Sequence, residues 1–178
     1  TDYYWDLSNL VDESDPYNIK RVKVVDAGNS AGRIIFIDNQ NYNNGIQLNQ
    51  INGPESDLPV TFIFSALKPV VLTGTITGNV RMFFAGDFQF GMGTETVAYN
   101  GLTMFMSNGD MKICGSIWSD KNNPGGGFLS SDKDITIVES APFQGQIQCR
   151  GNFKTSGMIQ FNDSVLKAPG FTVPKGMK

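Results

Sequence analysis

Apolar side chains in this chain recur with a period of two, in short runs closed off by Gly, Asn, Asp and Pro. No stretch of ten or more residues holds them at helical spacing. A period of two lays one face of an extended strand on a core, whereas a helix needs recurrences at every third and fourth residue. β-Branched and aromatic residues dominate the periodic runs, which adds to the preference for strand. The expected fold class is all-β, with little helix.

The runs are distinct. Arg21-Val22-Lys23-Val24-Val25 alternates, and Arg33-Ile34-Ile35-Phe36-Ile37 is denser in apolar residues. Gly45 to Ile51 alternates with Ile46, Leu48 and Ile51 near one face, and Val60 to Ala66, apolar at nearly every residue, reads as a buried strand. Segments 26–32 and 38–44 read as turns and 52–58 as a loop, because Gly and Asn accept positive φ at little cost and Gly53-Pro54 breaks a strand. A length of 178 residues suits one domain. The expected division is an aromatic and acidic N-terminal arm over 1–19, a β domain over 20–166 and an extended C-terminal tail over 167–178, interrupted by Pro169 and Pro174. The arm carries Tyr3, Tyr4 and Trp5 among Asp2, Asp6, Asp12, Glu13 and Asp15, with one helical turn expected over 7–13 before Pro16. Docking on another surface and folding back onto its own core are both open to it.

The second half repeats a local pattern, Gly or Lys, then Asp or Asn, then apolar-x-apolar. Gly78-Asn79-Val80-Arg81-Met82, Gly86-Asp87-Phe88-Gln89-Phe90, Gly109-Asp110-Met111-Lys112-Ile113 and Lys133-Asp134-Ile135-Thr136-Ile137 follow it, and Gly151-Asn152-Phe153-Lys154-Thr155 is a weaker copy. The polar turn residues are separated by 8, 23, 24 and 18 positions in turn. The last three fall near the low end of solenoid periods. With Thr75 to Val80, Ile113 to Trp118 and Gly145 to Gln148, these segments resemble the rungs of polymer-forming β-helical proteins of the bactofilin kind over residues 72–166. The resemblance implies a β-solenoid there. Antiparallel hairpins are the competing architecture, because Asn44-Gly45, Asn100-Gly101 and Asn108-Gly109 suit two-residue turns. An antiparallel sandwich, a jelly roll or a β-barrel then stands beside the solenoid.

Composition narrows the chemistry. The chain has no His, which removes the commonest general base and transition-metal ligand, and with them serine-histidine and cysteine-histidine catalysis by this chain alone. Cys114 and Cys149 form no Cys-x-x-Cys pair and are expected as reduced thiols rather than a disulfide. Phosphate-binding, nucleophile-elbow and dinucleotide motifs are missing, and Gly125-Gly126-Gly127 reads as a flexible loop. A net charge of −3 and no Lys/Arg cluster beyond Lys20-Arg21 disfavour nucleic acid as a partner. The longest apolar candidate, Leu58 to Leu72, is broken by Pro59, Lys68 and Pro69, so no membrane span is expected. Thr1-Asp2-Tyr3-Tyr4-Trp5 lacks the basic flank and apolar stretch of a signal peptide.

Carboxylates are the remaining catalytic material. Asp132 and Asp134 with Glu139, and Asp110 with Asp120, are candidates for a glycosidase pair or a calcium site, and Asp12-Glu13-Ser14-Asp15 for a cation. Asp beside Gly or Ser is more simply a turn residue, and an acidic run a solvated one. Trp5, Trp118, Tyr3, Tyr4, Tyr42 and Tyr99 are candidates for stacking on sugars, or for ordinary core and interface positions. No catalytic, cofactor-binding or metal residue is assigned, and no cofactor is expected. Only 17% of residues are charged, against about a quarter in an average soluble domain, so the surface is polar rather than charged. With β content and aromatic and Pro-rich ends, this points to a non-enzymatic structural protein. It is expected to be a soluble subunit of a virion, phage tail or filament, assembling with its own or other protein subunits as a homo-oligomer or larger body. A carbohydrate-binding β domain with a glycan partner is the alternative.

Overall fold

Every second residue of the strands faces one core. Val60, Phe62 and Phe64 are buried in one run and Val80, Met82 and Phe84 in another, while Thr61, Ile63, Arg81 and Phe83 stand on the opposite side, half-buried. The computed structural model describes residues 3–5, 11–12, 20–37, 45–92, 102–117, 126–138, 143–155 and 159–161. In chain order the strands are β1 (Tyr3–Trp5), β2 (Val11–Asp12), β3 (Lys20–Asp26), β4 (Ile34–Ile37), β5 (Ile46–Asn52) and β6 (Val60–Phe64). They continue as β7 (Val70–Leu72), β8 (Ile76–Thr77), β9 (Val80–Phe84), β10 (Phe88–Phe90), β11 (Leu102–Ser107) and β12 (Met111–Ile113). The last are β13 (Gly126–Ser131), β14 (Ile135–Ile137), β15 (Phe143–Cys149), β16 (Phe153–Thr155) and β17 (Ile159–Phe161). No helix occurs among the described residues, so none there is long and apolar enough to cross a membrane.

Successive strands alternate between two sheets. The first sheet runs β1-β4-β6-β9-β11-β13-β15-β17 and the second β16-β14-β12-β10-β7-β5-β3-β2, with β8 also on β5. Every pairing among them is parallel except β2 with β3. The chain is therefore a β-solenoid in which each coil stacks on the one before. Neither an antiparallel sandwich or jelly roll nor a barrel forms. The coiling also begins before residue 72, since β4 and β5 already stack under β6 and β7.

The core lies between the sheets as aligned columns. Phe62, Met82, Phe105 and Leu129 stand abreast in the first sheet, and Leu48, Leu72, Phe90, Ile113 and Ile137 in the second, all buried. Aromatic rings bridge the gap: Phe84 stacks on Phe88 at 3.9 Å, and Phe105 meets Phe88 at 4.7 Å and Phe90 at 5.5 Å. Such pairs add about 0.5–1.5 kcal/mol each beyond the area they bury.

The coil turns from the first sheet to the second through a corner of one recurring form. Ala85-Gly86-Asp87, Asn108-Gly109-Asp110, Asp132-Lys133-Asp134 and Arg150-Gly151-Asn152 each join two strands. Four of the five sequence repeats therefore sit at equivalent positions, 23, 24 and 18 residues apart. Gly78-Asn79 is the exception. It leads from β8 into β9, from the second sheet into the first, so the step of 8 residues crosses a coil instead of completing one. Asn108-Gly109, read as a hairpin turn, is one of these inter-sheet corners; Asn44 and Asn100-Gly101 lie outside the described residues. Between β7 and β8, a Cβ on Gly74 would lie 1.4 Å from the Asn49 carbonyl oxygen, so no other residue fits.

Within segment 1–19 the backbone of β1 pairs with β4, and β2 pairs with β3. Strand at Val11–Asp12 replaces the later part of the helical turn expected over 7–13; backbone partners across the sheet outweigh weak local helix preference. The tail over 167–178 lies outside the described residues.

Candidate functional site

The recurring corner brings two of the candidate carboxylates, Asp110 and Asp134, into one column with Asp87. Asp87 Oδ1 accepts the backbone N–H of Asp110 at 2.8 Å, Asp110 Oδ1 that of Asp134 at 3.2 Å, and Asp134 Oδ1 that of Asn152 at 2.7 Å. A second ladder runs beside it. The Ser107 hydroxyl donates to the Gly86 carbonyl and accepts from the Gly109 N–H, and Ser131 does the same with Gly109 and Lys133. In the next coil Cys149 takes the serine position, its thiol 3.6 Å from the Gly151 carbonyl. Small residues let the coils approach: a Cβ on Gly109 would come within 2.3 Å of Asp87 Oδ1, and one on Gly151 within 2.2 Å of Asp134 Oδ1. Where Lys133 stands in place of glycine, the corresponding bond is the longest of the three.

These carboxylates act as structural acceptors. The Asn152 N–H is the main reason the Asp134 carboxyl titrates below its ordinary range, with the Asn152 side chain and Lys154 acting the same way and desolvation partly opposing. A general acid needs a shift in the other direction. Asp132 projects from the same corner and pairs with Arg150 at 3.4 Å. Asp120 and Glu139 lie outside the described residues, and of Asp12-Glu13-Ser14-Asp15 only the Asp12 backbone is described. No group of three metal-ligating side chains gathers among the described residues. Cys114 is buried and Cys149 half-buried, and no disulfide joins them.

Both outer faces carry depressions. On the second sheet, Val71, Gln89, Lys112 and Thr136 line a groove of about 410 Å³ edged by Asp87, Asp110 and Asp134. A smaller groove of about 210 Å³ continues it past Gln47 toward Met92, sharing Pro69, Val71 and Gln89. The resulting trough offers amide, hydroxyl, ammonium and carboxylate groups. On the first sheet, Phe36, Ile63, Phe83 and Met106 lie side by side on adjacent strands, facing away from the core and half-buried. A depression of about 340 Å³ spans Ile63, Phe83 and Met106 and runs to Ser130 and Asp132.

The apolar stripe is what sequence reasoning missed. The density of apolar residues in Arg33–Ile37 and Val60–Ala66 is its signal, but in Val60–Ala66 that density reads as a buried strand. Instead only alternate residues enter the core, and Ile34 is 38% exposed. Of the aromatic candidates, Tyr3, Tyr4 and Trp5 contribute backbone to β1, while Tyr42, Tyr99 and Trp118 lie outside the described residues. Comparison with protein-family models, with curated proteins and with solved structures returned no match.

Proposed function

We propose that this chain is a non-enzymatic structural protein, a subunit of a larger assembly such as a virion, a phage tail or a filament. The observation that carries this reading is the stripe of Phe36, Ile63, Phe83 and Met106 on the outer face of the first sheet. Apolar side chains aligned across several strands on the side away from the core suit a face that packs against another protein. Support also comes from the carboxylates, which are engaged in holding the corners together. Negative-stain imaging and light scattering of the purified protein test the proposal. Particles larger than one chain are expected, with Ile63→Asp/Phe83→Asp reducing their size; a compact monomer at high concentration under several ionic conditions would remove the basis for it.

A second reading, carbohydrate binding, is favoured by the trough on the second sheet, where Gln47, Gln89, Lys112 and Thr136 stand beside Val71 and Pro69. Its amides, hydroxyls and carboxylates suit sugar hydroxyls, and an extended trough suits an extended glycan. A glycan array with no saturable response would set it aside.

A further inference from the structure

Close stacking of the coils forces glycine at position 109, where a Cβ would meet Asp87 Oδ1 at 2.3 Å and the Asp87 nitrogen at 2.7 Å. The residue before it is Asn108, which is exposed and whose side-chain amide makes no hydrogen bond among the described residues. The equivalent corners carry Ala85-Gly86, Asp132-Lys133 and Arg150-Gly151, so this is the one described corner of its kind that sets Asn before Gly.

Asparagine is a chemically labile residue, and glycine after it leaves the following nitrogen unshielded by a side chain. When that nitrogen gives up its proton it attacks the asparagine Cγ. A C–N bond closes a succinimide ring, and the side-chain nitrogen leaves as ammonia with a proton returned to it. Water then adds to one of the ring carbonyls and opens the ring to aspartate or isoaspartate. In sum, water is consumed and ammonia released.

The corner holds the nucleophile. The Gly109 N–H donates to Ser107 Oγ at 2.9 Å, while the Ser107 hydroxyl donates its own proton to the Gly86 carbonyl at 2.7 Å. With its proton committed, the hydroxyl oxygen turns a lone pair to the Gly109 N–H. Ser107 is only 5% exposed, so solvent base has little access to that N–H. The Asn108 N–H is fixed as well, to the Phe84 carbonyl at 3.0 Å. Asn52-Gly53 supplies a contrast within the same chain. There the Gly53 N–H donates to the Thr77 carbonyl at 2.7 Å, and the asparagine Oδ1 accepts from Gln50 Nε2 at 2.8 Å and Thr77 Oγ1 at 3.4 Å. Both reacting groups are held at Asn52, but only the nitrogen is held at Asn108.

We propose that Asn108 is a deamidation site, closed in the intact coil by the Ser107 hydroxyl and opened when that corner loosens. Either product adds a negative charge at the rim of the depression spanning Ile63, Phe83 and Met106, where Asp132 already stands. Isoaspartate also lengthens the backbone at a junction that tolerates no side chain at the next residue.

Peptide mapping by liquid chromatography and mass spectrometry, over a time course in mildly alkaline buffer, reads Asn108 and Asn52 separately. In wild type, Asn108 should convert faster than Asn52, yet at least about tenfold more slowly in the folded protein than in urea. Ser107→Ala should speed Asn108 by about three- to tenfold, the factor set by one lost hydrogen bond, and leave Asn52 unchanged. Ser107→Cys, a residue the coil already accommodates at position 149, offers a weaker acceptor and should fall between wild type and Ser107→Ala. Ser131→Ala removes the equivalent hydroxyl in the next coil and should leave Asn108 at the wild-type rate. If Ser107→Ala does not fold, Asn52 accelerates with it, and Ser107→Cys carries the comparison. Asn108 reacting as fast in the fold as in urea, or more slowly than Asn52, would overturn the proposal. So would rates untouched by both Ser107 variants, or an acceleration in Ser131→Ala equal to that in Ser107→Ala.

Discussion

Asp87, Asp110 and Asp134 each hold the amide of the coil that follows, and for Asp134 this gives ionisation a structural consequence. For Asp134 the charged form is favoured in the fold, mainly by the Asn152 N–H. A carboxylate whose folded pKa is depressed contributes stability that is complete above its unfolded value of about 3.9 and is lost as pH falls through the folded value. Asn at this position retains an acceptor oxygen without a titrating charge. Asp134→Asn should therefore unfold much as wild type near neutral pH, yet lose less stability on acidification. Thermal midpoints measured from about pH 6 down to about pH 2 will decide, and parallel acid slopes in the two proteins would contradict the role given to this carboxyl.

At the scale of strands and corners, legibility followed the strength of the local signal. Period-two alternation exposed the strands, and the Gly-Asp and Lys-Asp pairs exposed the corners, because close coil approach favours small residues and the ladder needs a short acceptor side chain. The same pairs did not tell one corner from the other: Gly78-Asn79 looks like Gly86-Asp87 and differs only in which sheet comes next. Hairpin and coil were equally compatible with Asn108-Gly109, since long-range pairing, not turn chemistry, chooses between them. The stripe of Ile63 and Phe83 was hidden for another reason, as a strand apolar on both sides reads as buried on both. Urea unfolding can separate the two faces. Phe105, fully buried against Phe88 and Phe90, should cost about 3–5 kcal/mol when changed to Ala. Phe83→Ala, on the outer face, should cost about 1 kcal/mol. Equal losses would mean that the outer stripe belongs to the folding core and not to a contact surface.

For the whole molecule, coiling makes stability a property of neighbours. Each inner coil is held by strand pairing and packing from both sides, whereas the strand β16 has a described neighbour on one side only. Amide exchange should therefore be graded along the axis, with β9 to β12 slowest and Phe153 and Lys154 among the fastest. Hydrogen exchange read by mass spectrometry measures the gradient. Uniform protection along the coil would contradict the nearest-neighbour description.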